Sequence, residues 1–183
     1  MADYADILYE SSDHIATITM NRPETLNAFS PTLLAELEDA VERIGQDPDI
    51  RVAILTGTGR AFSSGGNVKT MVDAAGTGGG DRGRQRLRGI HDTALAFQRL
   101  NKPTIAAING VAVGGGLDMS LWCDFRIASD KARLREVYTK VGLAPGGGGV
   151  YFLPRIVGIQ KALELILTAD WIDAHEAERI GLV

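Results

Sequence analysis

Between Ile15 and Met20 the chain alternates, with Ile15, Thr17 and Thr19 on one side and Ala16, Ile18 and Met20 on the other. That is the period of a strand with one covered face. Ile7 to Glu10 precedes it across a polar turn, so the pair predicts a hairpin. From Ser30 the period changes. Leu33, Leu34, Leu37, Val41 and Ile44 recur at helical spacing, Ser30 followed by Pro31 is a helix start, and "GQDPD" ends it. "RVAILTG" from Arg51 is a near-continuous apolar run of the kind buried parallel strands carry, and "NKPTIAAINGVAV" and "CDFRIAS" repeat the signal. Arg84 to Leu100 predicts a helix with Leu87, Ile90, Ala94, Leu95 and Phe97 on its apolar side. Before it, Gly76 to Gly83 is by composition the least ordered stretch. The end of the chain reads as two short helices joined by a turn, Asp173 capping the second and Glu176 completing a capping box. The final "GLV" has the form of a helix stop and the first residue of a strand, which predicts a fold that continues past Val183. Strands interleaved with helices predict an α/β fold with a largely parallel sheet.

A length of 183 residues, 45% of them apolar and 23% charged, is ordinary for one globular domain. A net charge of −4 and a pI near 5.4 offer no basic face for nucleic acid. Cys123 is the only cysteine, so no disulfide framework exists and a reducing compartment is the simple expectation. The N-terminal "MADYADILYE" has neither the basic start nor the apolar core expected of a targeting signal, and no run approaches the length of a membrane span. The expectation is a cytoplasmic protein whose partners are small molecules or other proteins.

The triplet Gly114 to Gly116 sits between a strand-like run and a helix start, with Asp118 two residues on. It is neither a dinucleotide fingerprint nor a phosphate loop, since G-x-G-x-x-G and G-K-[ST] are both absent. Alone it reads as a close-packed strand-to-helix turn with an acid favouring the helix dipole. A second such turn changes the weighing. "RVAILTGTGRAFSSGGNVKTM" also runs from a buried strand through Gly65 and Gly66 into a helical start at Asn67 to Met71. Two glycine turns from parallel neighbours can aim two backbone N–H groups at one oxygen, the geometry of an oxyanion hole.

The segments "MNRPETLNAFS", "GRAFSSGGNVKTM", "KPTIAAINGVAVGGGLDMSLWCDFRIAS" and "KVGLAPGGGGVYFLPRIVG" together resemble the crotonase superfamily of enoyl-CoA hydratases and isomerases. The resemblance implies a spiral of ββα units with a C-terminal helical segment, incomplete here. Residues 1–183 would be a single acyl-CoA-binding domain, with about 156–183 the start of the helical oligomerisation segment. It implies a homotrimer or hexamer and an acyl-CoA thioester substrate, the coenzyme A being part of the substrate, with no separate cofactor, metal, nucleic acid or membrane. By the same resemblance Gly66 and Gly115 supply the oxyanion-hole amides. Leu26, Ala28 and Ser64 correspond to backbone positions that hold the coenzyme A. Lys69 matches a position near it, though a solvated helix lysine is an equal reading.

The acids depart from the hydratase pattern. Of the two family glutamates, the first corresponds to Asp118, shorter by a methylene, and the second falls on Tyr138. The acid that some isomerases carry after the following Pro corresponds to Gly146. Tyr138, with an ordinary pKa near 10, is a poor base at neutral pH, and either assists Asp118 or lines the pocket. Glu136 lies two residues earlier, and on a continuing strand it would share a face with Tyr138, reaching the site only through a change of register or local geometry. Three functions remain open: hydration of a 2-enoyl-CoA to the 3-hydroxyacyl-CoA, Δ3,Δ2-enoyl-CoA isomerisation or another enolate-forming reaction, and catalytically weak acyl-CoA binding. His14, His91 and His175 share no ligand spacing, Cys123, Trp122 and Trp171 read as packing, and Arg82, Arg84, Arg86 and Arg88 read as a solvated run.

Overall fold

The N-terminal hairpin forms from β1 (Ile7–Ser12) and β2 (Ile15–Met20). Asp13 and His14 join the strands with φ of 50° and 67°, the left-handed pair that matches the twist of a two-residue hairpin loop. In this computed structural model residues 4–66 and 80–183 are described. Lys69, the helical start expected at Asn67 to Met71, and Gly76 to Gly79 lie outside them, as do the side chains of Arg82 and Arg86.

Helix α1 (Pro31–Gln46) starts where Ser30 Oγ accepts the Leu33 N–H at 2.9 Å, and it buries Leu33, Leu34, Leu37, Val41 and Ile44. The chain continues through β3 (Val52–Gly57), β4 (Ala61–Ser63), α2 (Gly80–Arg99), β5 (Thr104–Ile108), β6 (Val111–Val113) and α3 (Gly115–Leu121). Then follow β7 (Phe125–Ala128), β8 (Arg133–Arg135), a 3-10 turn (Tyr138–Val141), α4 (Gly149–Val157), α5 (Ile159–Thr168), β9 (Ile172–Asp173) and α6 (Ala174–Arg179).

Among the described residues the strands form one sheet in the order β1-β2-β3-β5-β7 and a second in the order β4-β6-β8-β9. Each successive pair, β3/β4, β5/β6 and β7/β8, gives its first strand to the larger sheet and its second to the smaller. Neighbours within each series run parallel. This repetition is the α/β spiral of ββα units. It places the ends of β4, β6 and β8 side by side, so the turns that leave them converge.

Several local expectations change. "TIAAINGVAV" is two strands, because Asn109 and Gly110 turn the chain from one sheet to the other; a Cβ on Gly110 would overlap the Arg60 carbonyl. "CDFRIAS" is not a buried strand: β7 is an edge, with Phe125 60% and Ile127 63% exposed. Leu87 and Leu95 face outward from α2, which instead buries Ile90, Thr93 and Phe97. Gly80 to Gly83 begin that helix rather than a loop. Asp173 caps α6 through the Glu176 N–H at 2.8 Å, but the Glu176 carboxylate turns to Arg179, so only half of the capping box forms. No helix among the described residues is long and apolar enough to cross a membrane.

Candidate functional site

The turn after β4 is fastened to the segment before α1. Ser64 N–H donates to Leu26 O at 2.9 Å, Ser64 Oγ to Thr25 O at 3.1 Å, and Phe29 N–H to Gly65 O at 2.8 Å. Asn27, fully buried, organises this junction. Its Nδ2 donates to Thr58 O and Ala61 O, its Oδ1 accepts the Arg22 N–H, and its carbonyl accepts the Ser63 hydroxyl. The motif alone gives Asn27 no role; its left-handed φ of 53°, which asparagine tolerates, is the reason it stands there. The Ala28 carbonyl accepts from Arg22 Nη1 at 2.6 Å.

Held this way, the Gly65–Gly66 turn lies directly against the start of α3. At φ 72° Gly65 is in the left-handed region, and a Cβ on it would stand 2.6 Å from Val113 O and 2.7 Å from Gly115 N. A Cβ on Gly115 would meet the Phe29 ring at 2.8 Å and Gly65 Cα at 3.5 Å. Backbone approaches backbone here only because side chains are absent. Among the described residues neither the Gly66 nor the Gly115 N–H donates to a protein acceptor. Leu26, Ser64, Gly66 and Gly115 are therefore brought together, and Ala28 adjoins them.

Asp118 closes the first turn of α3, its N–H donating to Gly114 O at 2.9 Å. Its side chain is wholly buried. Oδ2 accepts from Tyr138 Oη at 2.5 Å and from the Gly147 N–H at 3.0 Å. The glycine run Gly146 to Gly149 exists to let this happen: a Cβ on Gly147 would stand 2.6 Å from Oδ2, and one on Gly149 would overlap Oδ1. Trp122 Nε1 pins the loop by donating to Gly147 O at 2.6 Å, and His91 Nε2, from α2, meets Gly146 O at 2.9 Å. Burial pushes the Asp118 pKa above the usual carboxyl range, while the Tyr138 and Gly147 donors pull it back. Burial, reinforced by the Asp118 charge, pushes the Tyr138 pKa far up, so its hydroxyl stays a donor and never serves as the base.

Glu136 lies where β8 gives way to the 3-10 turn. β8 ends at Arg135, whose carbonyl accepts the Gly114 N–H at 2.8 Å, and Val137 is already helical with φ −79° and ψ −6°. The period of two holds through Glu136, which turns inward on the same face as Ala132 and Leu134, and it breaks only at Val137. It is 1% exposed and its carboxyl meets that of Asp118. Among the described residues, both of its oxygens and Asp118 Oδ1 lack a hydrogen-bond partner. Burial first, and the Asp118 charge second, raise its pKa well above the ordinary carboxyl value. Both Asp118 and Glu136 thus stand at the converging turns, with the Tyr138 hydroxyl as the fixed donor between the 3-10 turn and α3. Lys69 lies outside the described residues.

Comparison with known proteins follows the same outline. A family model described as enoyl-CoA hydratase/isomerase matches residues 10–183. The chain is 40% identical over 182 residues to a Mycobacterium tuberculosis protein named probable enoyl-CoA hydratase EchA14, covering 100% of this chain and 70% of that one. It is 38% identical to a crotonyl-CoA hydratase of Syntrophomonas wolfei, covering 98% and 68%. The crystal structure of an enoyl-CoA hydratase from Bacillus anthracis superposes with a TM-score of 0.92 at 39% identity, over 98% of this chain and 69% of that one.

Proposed function

The chain belongs to the enoyl-CoA hydratase/isomerase family, and from that premise we propose that it adds water to a 2-enoyl-CoA, giving the 3-hydroxyacyl-CoA. The observation that carries the reading is the Gly65–Gly66 turn packed on Gly115, with Asp118 one helical turn along. The N–H groups of Gly66 and Gly115 receive the thioester oxygen. Charge moves onto that oxygen as an enolate forms, and each such donor contributes roughly 3 to 4 kcal/mol. Asp118 is the acid/base: burial raises its pKa toward neutrality, where a proton acceptor and donor works best. Tyr138 holds the Asp118 carboxyl in place. Backbone groups of Leu26, Ala28 and Ser64, with Lys69 near the phosphates, hold the coenzyme A, which is part of the substrate; no separate cofactor is needed. The enzyme works as a homotrimer or hexamer in the cytoplasm.

A second reading has its own support. Tyr138 and Gly146 occupy both positions where family members carry a second acid, and one base suffices to take a proton from C2 of a 3-enoyl-CoA and return it at C4. Crotonyl-CoA and a 3-enoyl-CoA separate the cases by absorbance. Loss of the conjugated thioester band marks hydration, and its appearance from the 3-enoyl substrate marks isomerisation. Thioester binding with neither change leaves only the binding role. Asp118→Asn lowers turnover roughly 10²- to 10⁴-fold; undiminished turnover removes Asp118 from the chemistry.

A further inference from the structure

Hydrogen-bond accounting around the buried carboxyls does not close if both are ionised. A carboxylate only accepts. Among the described residues, Asp118 Oδ2 has its donors in Tyr138 and Gly147, while Asp118 Oδ1 and both Glu136 oxygens have none. Each lies in a place that excludes water, where an unpartnered charge is costly. Two facing carboxylates also repel. One proton resolves these demands. Asp118 already has two donors and is the better place for the negative charge, whereas Glu136 has none and is the better place for the proton.

The geometry points to a dyad in which Glu136 is protonated at neutral pH and donates its proton to Asp118 Oδ1. Among the described residues the remaining titratable group facing the pair is Tyr138, from the 3-10 turn. From the side of α4 comes only the uncharged Gly146–Gly149 backbone. His91 ends on the Gly146 carbonyl, and Arg135 leans away to donate to Ala169 O at 2.6 Å.

Glu136 is then a positioning residue that sets the proton occupancy of Asp118, at a place two residues from the family's second-acid position. The pair carries one proton at rest. It holds two after taking one from the water whose oxygen bonds to C3, and returns to one when C2 is protonated. Isomerisation runs through the same count, one proton taken at C2 and one returned at C4. The catalytic half of this inference rests on the acyl-CoA reading above; the resting proton does not.

The test begins with the infrared spectrum of the folded wild-type protein at neutral pH. A carbonyl stretch of a protonated carboxylic acid is expected there, and Glu136→Gln removes it. Glutamine is isosteric and its amide can donate to Asp118 Oδ1, so the fold is retained; the wild-type band needs no variant at all. In turnover, Glu136→Gln lowers kcat about 10²-fold with KM little changed. It also moves the acid limb of the pH profile to higher pH, because an amide stabilises the Asp118 carboxylate less than the carboxylic-acid donor it replaces. A wild type without the band, a band that survives Glu136→Gln, or an acid limb that stays in place or moves to lower pH each overturns the dyad. A band present in a wild type that turns over neither thioester upholds the resting proton and sinks the catalytic reading instead.

Discussion

Tyr138 Oη donates to Asp118 Oδ2 at 2.5 Å, tying the 3-10 turn after β8 to the first turn of α3. The tyrosine stands where the family's second glutamate is expected, yet its role is that of a donor to the first acid.

Removing that donor has a signed consequence. The Tyr138 hydrogen bond lowers the Asp118 pKa against the larger upward effect of burial. Tyr138→Phe therefore raises the Asp118 pKa further, and the acid limb of the kcat/KM profile moves to higher pH. A hydrogen bond to a charged group is worth about 1.5–3 kcal/mol, so turnover at neutral pH falls by roughly tenfold to a hundredfold. An acid limb displaced to lower pH contradicts the assigned donor.

Gly149 carries no left-handed φ, so alanine there is a purely steric probe. Its methyl would need space that Asp118 Oδ1 occupies. Gly149→Ala is expected to cost about 1–3 kcal/mol of stability. By shifting the carboxyl it also costs about a hundredfold in turnover, as a 1 Å misplacement does. Urea unfolding and steady-state rates measured on the same preparation check both numbers.

Stability should fall as pH rises. Asp118 and Glu136 have pKa values raised by burial above their ordinary 3.8 and 4.5, so the folded state binds more protons than the unfolded chain between ordinary and folded values. The stabilisation from these protonated groups is present below the ordinary values and is lost as pH climbs through the raised ones. The loss amounts to about 1.4 kcal/mol for each pH unit separating a group's folded and unfolded pKa. The thermal midpoint of the wild type thus declines from about pH 4 through neutrality relative to that of Glu136→Gln. A wild type that gains on the variant over that interval has the sign reversed.

Away from the site, Ser30 accepts the Leu33 N–H and donates to Asp6 Oδ2 at 2.6 Å. Ser30→Ala is expected to destabilise the fold by about 1–2 kcal/mol. Calorimetry gives the loss, and an unchanged KM for the thioester marks it as remote from the site.

Local repeats made most of the framework legible. The alternation of Ala16, Ile18 and Met20, the helical spacing from Leu33 to Ile44, the Ser30 and Asp173 caps, and the two glycine turns all carry their cause within a few neighbouring residues. The family motifs marked Gly66, Gly115 and Asp118 for the same reason, since each depends on a short stretch around a strand end. The exposure of Phe125 and Ile127 was not readable, because an edge strand and a buried one have the same apolar run until the sheet order is known.

By itself the sequence determined most of the strands and helices, the two glycine turns, and that Asp118 follows the second of them. Only the tertiary structure decided what surrounds that carboxyl. Gly146 to Gly149 are a bare glycine run until Asp118 is seen filling the space of their missing Cβ atoms. Glu136 is a strand residue by its sequence and a buried partner of Asp118 in the fold. Its direction continues the inward face of Ala132 and Leu134, but what it meets there is decided by the fold, and its proton by the absence of water and donors around it. Periodicity is local, whereas the surroundings of a buried charge are assembled from α3, the 3-10 turn and the loop before α4, segments brought together by folding alone.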